Sequence, residues 1–224
     1  MPSEPSRTNL FKKLFVTLGR DLKALPSREN AAVLGYGGLM ALGVAPFDHD
    51  ATHAASSSNA LKTTYSGAGK AIGREWVQGG GALAAYVAGA VWHKPRIVSA
   101  AGDLIEAQLV AVTVTQGLKF AVNRDRPDGE ARSFPSGHAS AAFATARVLQ
   151  RHFGRAAAIP AYAIAAYTSS SRLQANSHYP SDVVFGAALG IAVAQTATRE
   201  LGTARLTILP SAGADGFRVM VAVK

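Results

Sequence analysis

Apolar residues gather into six stretches, around 31-47, 76-92, 97-118, 139-149, 156-170 and 183-197, each rich in alanine and glycine. Their length and lack of β-type alternation predict helices. Upstream, Phe11, Leu14, Phe15, Leu18, Leu22 and Leu25 recur at helical spacing with Lys12, Lys13, Arg20 and Lys23 between them, which predicts a basic amphipathic helix within residues 1-30. Such a helix suits an anionic membrane interface, and packing of its stripe on the protein body accounts for the pattern equally well. It does not read as a cleaved signal, because charge interrupts the apolar part and no small-residue cleavage site follows. Residues 48-75 form a polar connection with a short helix expected around 59-74. At the carboxyl end, Leu206-Thr207-Ile208-Leu209 and the run from Phe217 to Val223 flank a glycine-containing turn, which predicts a β-hairpin appendage over 201-224.

Whether the helices lie in water or in lipid depends on polar placement. Most stretches are shorter than the ~20 residues that span a bilayer comfortably. The mean hydropathy is only +0.12, and Asp103 and Glu106 interrupt the third stretch. Basic residues argue the other way. They fall before the first stretch, at His93-Lys94-Pro95-Arg96, at Arg151-His152-Phe153-Gly154-Arg155, and after the sixth at Arg199 and Arg205. These are alternate connections, so a cytoplasmic amino terminus puts all of them on the cytoplasmic side. The favoured expectation is an all-α bundle of six membrane helices, with Asp103 and Glu106 facing the protein interior or the cytoplasmic end. Gly79-Gly80-Gly81 then reads as close helix packing, since it lacks the lysine of a phosphate loop.

The chain has 224 residues, enough for one sizeable core and no second one. It has no cysteine, which excludes disulfides and thiolate metal sites. A formal net charge of +9 points to anionic partners. The amino-terminal lysines and arginines have no aromatic ladder or nucleic-acid motif beside them, so a membrane surface fits better than nucleic acid.

Three polar blocks fall in the connections on the face opposite the basic ones. Lys119 ends the third stretch and Arg126 follows seven residues later, with Pro127 stopping the helix just before Arg126. Alone, such a pair would be snorkelling cations at a membrane boundary. In the second block, Pro135-Ser136-Gly137-His138, Ser136 is a natural N-cap. The free amides behind it make an anion site, with His138 in the first turn. The third block joins Ser171-Arg172 to His178 and Asp182, with Pro180 at the start of the sixth helix. A carboxylate at Asp182 can accept a hydrogen bond from one imidazole nitrogen of His178 and leave the other free as a nucleophile.

Written as K-x6-R-P, P-S-G-H and S-R-x5-H-x3-D, the blocks resemble the type 2 phosphatidic acid phosphatase superfamily, which includes lipid phosphatases, soluble acid phosphatases and vanadium haloperoxidases. The resemblance implies that His178 attacks phosphorus, Asp182 orients it, and His138 protonates the leaving oxygen and then activates water. It further implies that Lys119, Arg126, Arg172, Ser136 and Gly137 bind the phosphoryl oxygens, with no metal or other cofactor. Residues 31-200 would be the helical phosphatase domain. The expected activity is hydrolysis of a lipid phosphate or diphosphate by an integral membrane enzyme, in a bacterial inner membrane with the site facing the extracytoplasmic side. The gap from Pro127 to Pro135 is short for the superfamily and leaves little room for an inserted lid. Alternatives are a soluble acid phosphatase, a vanadium-dependent haloperoxidase and a non-catalytic lipid-binding protein. Asp48-His49-Asp50 with His53 offers metal-type ligands but reads as a solvated loop, and His93 and His152 read as surface residues.

Overall fold

A computed structural model describes residues 7-57, 62-198, 206-213 and 216-223, with side chains over 16-57 and 65-198. The helices are α1 (Arg7–Ala24), α2 (Arg28–Val44), α3 (Asp48–Ser57), α4 (Lys62–Ile72), α5 (Glu75–Val91), α6 (Pro95–Val122), α7 (Gly137–Phe153), α8 (Arg155–Gln174) and α9 (Pro180–Ala197). The six apolar stretches correspond to α2 and α5 to α9. Helices α1 and α4 are those expected within residues 1-30 and around 59-74, and α3 is not among the expected ones, so a six-helix description is too small. Strands β1 (Leu206–Gly213) and β2 (Gly216–Val223) pair antiparallel, with Leu206 opposite Val223. Arg199 and Arg205, and the side chains of Lys12, Lys13, Phe11, Leu14 and Phe15, lie outside the described residues.

Alanine and glycine set how closely the helices approach. The core is built from Ala107, Val110, Ala111, Ala144, Val148, Leu189, Val193 and Ala194, on α6, α7 and α9. A Cβ at Gly186 would stand 2.6 Å from the Ser136 carbonyl oxygen, and one at Gly190 would stand 2.2 Å from that of Ser140. Only hydrogen fits there, so α9 rides directly on α7 where the Ser136 turn begins. Gly73 likewise lets the end of α4 lie against His138, since its Cβ would be 2.7 Å from Cδ2 of that ring. The triple glycine does not act this way. A Cβ at Gly79, Gly80 or Gly81 would meet nothing within 4 Å, so these residues are not packing contacts among the described residues.

Among the described residues, three helical runs are long and apolar enough to cross a membrane: Arg28–Ser57, Pro95–Val122 and Pro180–Ala197. Helices α5 and α7 fall short at 17 residues each. The outer faces of α2 and α5 expose Tyr36, Leu39, Met40, Leu83, Val87 and Val91. Trp76 and Trp92 are exposed at opposite ends of α5, about 24 Å apart at 1.5 Å per residue, the placement of interfacial aromatic anchors. The chain is an integral membrane protein.

Its two ends differ in chemistry. At one end Arg96 donates from Nε and Nη2 to the His152 carbonyl, joining two of the basic connections. His152 is not a surface residue there: it is buried, with Nε2 2.7 Å from Asp103 Oδ2. Glu106 lies 3.6 Å from Arg20 of α1, and Leu18, Leu22 and Leu25 pack against the core. Both acidic residues of α6 are thus partly buried and paired with basic side chains at this end.

Candidate active site

At the other end, α6 stops four residues before Arg126. Asn123 takes the left-handed conformation (φ 46°) and returns its N–H to Lys119 O, a C-cap that asparagine tolerates. Buried Lys119 donates from Nζ to the carbonyls of Arg132 (2.6 Å) and Ser133 (3.2 Å), fastening the following loop beneath it. Arg126 turns tightly, its N–H bonding Glu130 O at 2.7 Å while Nη1 pairs with Glu130 Oε2 at 2.7 Å.

Ser136 caps α7, its Oγ accepting from Ala139 N at 3.5 Å, and its own N–H bonds Asp182 O at 3.0 Å. Two helix N-termini, α7 and α9, are thereby tied together. Arg172 occupies the last turn of α8, after which Asn176 (φ 56°) and the bond from Ser177 N to Arg172 O reverse the chain towards His178. The His178 ring is 3.7 Å from Asp182 Oδ2 and 3.4 Å from Ser133 Oγ, both measured from Nδ1. Contacts of this kind tighten when substrate binds. Burial pushes the His178 pKa down, Lys119 and Arg126 add to that, and Asp182 opposes it.

Lys119, Arg126, Gly137, His138, Arg172 and His178 line one cleft of about 590 Å³. Residues from all three sequence blocks therefore meet. Ser136 and Asp182 do not line it; both are fully buried behind its wall. Inside, Nε2 of His138 and three guanidinium donors, Nε of Arg126 and Nε and Nη1 of Arg172, are buried without a hydrogen-bonding partner among the described residues. Buried donors are rarely left unpaired, since each costs roughly 1–3 kcal/mol, more for a cation. A group of them around one cleft marks a seat for an anion rich in oxygen. The other nitrogen of His138 is held by the Lys70 backbone.

Three residues outside the predicted set complete the arrangement. Ser133 donates from Oγ to Asp182 Oδ2. Arg124 bonds Asp182 Oδ1 (3.0 Å) and Asp48 Oδ2 (2.8 Å). Burial alone would lower the Arg124 pKa, but the two carboxylates raise it and hold the guanidinium charged. Asp48 is not in a solvated loop: it opens α3, is 1% exposed and accepts from Ser181 N at 2.9 Å. Its neighbours His49, Asp50 and His53 are exposed, and no metal-type cluster forms among the described residues. Arg124 stood in plain view inside the K-x6-R-P gap, whereas nothing local to Asp48 announces a partner 133 positions away.

A model of the PAP2 superfamily matches residues 100–205. The chain is 38% identical over 97 residues to a lipid A 1-phosphatase of Porphyromonas gingivalis, covering 42% of this chain and 22% of that protein. It is 29% identical over 126 residues to a lipid A 4'-phosphatase of Helicobacter pylori, covering 51% of this chain and 64% of that protein. It thus spans less than two thirds of either relative. Its fold is similar to that of Aquifex aeolicus LpxE (TM-score 0.57, 21% identity, 67% of this chain and 93% of that one). It is also similar to a transmembrane PAP2 type phosphatidylglycerolphosphate phosphatase from Bacillus subtilis (TM-score 0.52, 18% identity, 76% and 94%).

Proposed function

We propose that this chain is a metal-independent lipid phosphatase working through a phosphohistidine, a reading supported by the match of residues 100–205 to the PAP2 superfamily model. The observation that carries this reading is one cleft in which two histidines face Lys119, Arg126 and Arg172, the two arginines with unpartnered donors. Nδ1 of His178 is turned towards Asp182 and Ser133, so Nε2 is the nitrogen offered to phosphorus. In the first step the His178 N–P bond forms and the lipid O–P bond breaks, while His138 gives a proton to the leaving oxygen. In the second, water attacks phosphorus, His138 takes its proton, and the N–P bond breaks to release inorganic phosphate. Lys119, Arg126, Arg172 and the amides at Gly137 stabilise the equatorial oxygens, which is most of what phosphoryl transfer requires.

The cleft opens at the end of α5 marked by Trp76 and Glu75, which suits a phosphate held at headgroup depth. The basic connections at the other end support a cytoplasmic position for that end and an extracytoplasmic site, in a bacterial inner membrane. Both sequence relatives are lipid A phosphatases by name, so a lipid A phosphate heads the candidate substrates, ahead of phosphatidate, phosphatidylglycerol phosphate and isoprenoid diphosphates.

The test is phosphate release from these four lipids by detergent-purified protein in excess EDTA, beside His178→Ala. The expected result is release that survives EDTA and vanishes in the variant, fastest on lipid A phosphate. Release that needs a divalent ion, or that persists without His178, would overturn the mechanism.

A further inference from the structure

We propose that Asp48, Arg124 and Ser133 form a clamp that positions the His178–Asp182 pair, a role for three residues that never touch the phosphate. The inference rests on the histidine mechanism proposed above. Asp182 is fully buried and its two oxygens are divided between separate holders. Oδ1 accepts from Arg124 Nη1 at 3.0 Å. Oδ2 accepts from Tyr179 N at 2.8 Å and from Ser133 Oγ, and it is this oxygen that faces His178. Rotation of the carboxylate would break contacts at both oxygens, so the plane presented to the imidazole is fixed.

Arg124 is itself fixed from the far side. Its Nη2 bonds Asp48 Oδ2 at 2.8 Å, its Nη1 also bonds Ser181 Oγ at 2.8 Å, and its guanidinium stacks 4.2 Å from the centre of the Tyr179 ring. Asp48 then closes the circuit, accepting from Ser181 N at 2.9 Å and from Ser181 Oγ. The segment from Tyr179 to Asp182, immediately after the nucleophile, is thus gripped from α3 and from the loop between α6 and α7. Arg124 does not line the cleft, and its charge is committed to two carboxylates. A forked guanidinium can bridge two acids through separate nitrogens, which a lysine ammonium on a single point cannot reproduce. The clamp should therefore govern turnover rather than substrate affinity.

Arg124→Gln, Ser133→Ala and Asp48→Asn/Arg124→Gln proteins would be compared with wild type and His178→Ala, using phosphate release and the imidazole N–H resonances of His178 in detergent. Arg124→Gln should lower kcat roughly 100-fold with KM changed less than about twofold, the scale of a small misalignment at a reacting group. The double variant should lose little more than the single one, because both changes open the same circuit. The Nδ1–H resonance, identified by its absence in His178→Ala, should shift or broaden in Arg124→Gln. Unchanged kcat, a loss confined to KM, or an unchanged resonance would overturn the proposal. Should Arg124→Gln fail to fold, Ser133→Ala decides by the same two readouts, since it removes one hydroxyl and no charge. Failure of wild type to release phosphate would count against the phosphatase reading alone, because the resonance still reports whether the clamp holds His178.

Discussion

His178 shows how neighbouring charges set the working range of a single residue. The ring is buried, with Lys119 and Arg126 on the cleft side and Asp182 behind it. Burial and the two cations both disfavour the imidazolium, and together they outweigh the carboxylate, so the folded-state pKa lies below the ordinary value near 6.5. An imidazole must be unprotonated to attack phosphorus. The acid limb of the kcat/KM profile, if it reports this residue, should therefore fall below pH 6.5 and not above it. A limb above 6.5 would mean that Asp182 wins the competition or that another group limits the rate. Stability follows the same sign. At pH values above 6.5 both states carry the neutral ring; as pH falls from there towards the lower folded pKa, the unfolded chain takes up the proton first and stability declines.

The elements are held in register by absent side chains as much as by present ones. Gly190 brings α9 so close to α7 that a methyl group would stand 2.2 Å from Ser140 O and 2.9 Å from Ala144 N. Both neighbours are backbone atoms and cannot rotate away. Gly190→Ala should therefore force the two helices apart and cost about 1–3 kcal/mol, the usual range for overpacking. Gly79 in α5 is the internal comparison, because the same methyl there meets nothing within 4 Å. Gly79→Ala should be neutral or stabilising by about 0.5–1 kcal/mol through helix propensity alone. Thermal unfolding of both variants in one detergent separates the cases, and equal effects would show that α7–α9 contact does not limit stability. Activity should fall in Gly190→Ala as well, since the helix start carrying His138 and the one carrying Asp182 are joined through Ser136 N and Asp182 O.

At the scale of the whole molecule, what could be read from the sequence was local or periodic. Eight of the described helices, all but α3, and the three chemical blocks are short-range patterns, so hydrophobic periodicity and the motifs around His138 and His178 exposed them. The triple glycine misled because composition cannot tell a glycine that meets a neighbour from one that faces outward. Asp48 and His152 misled for a related reason: each lies in a polar stretch, yet each is buried by a partner distant in sequence, Ser181 and Asp103. The alternation of basic and chemical connections was legible too, and it leads to the last prediction. The cleft lies at one end of the bundle and the Arg96–His152 junction at the other, so a bilayer spanned by the bundle would put them on opposite sides. Because the chain has no cysteine, a single introduced thiol reports its side without background. Ala131, on the cleft rim, and Ala156, beside the basic junction, are both exposed, and neither substitution changes a charge. In intact spheroplasts a membrane-impermeant maleimide should label Ala131→Cys directly and Ala156→Cys only after permeabilisation. The reverse pattern would place phosphate release in the cytoplasm, and labelling of both before permeabilisation would mean that the bundle does not span the bilayer between them.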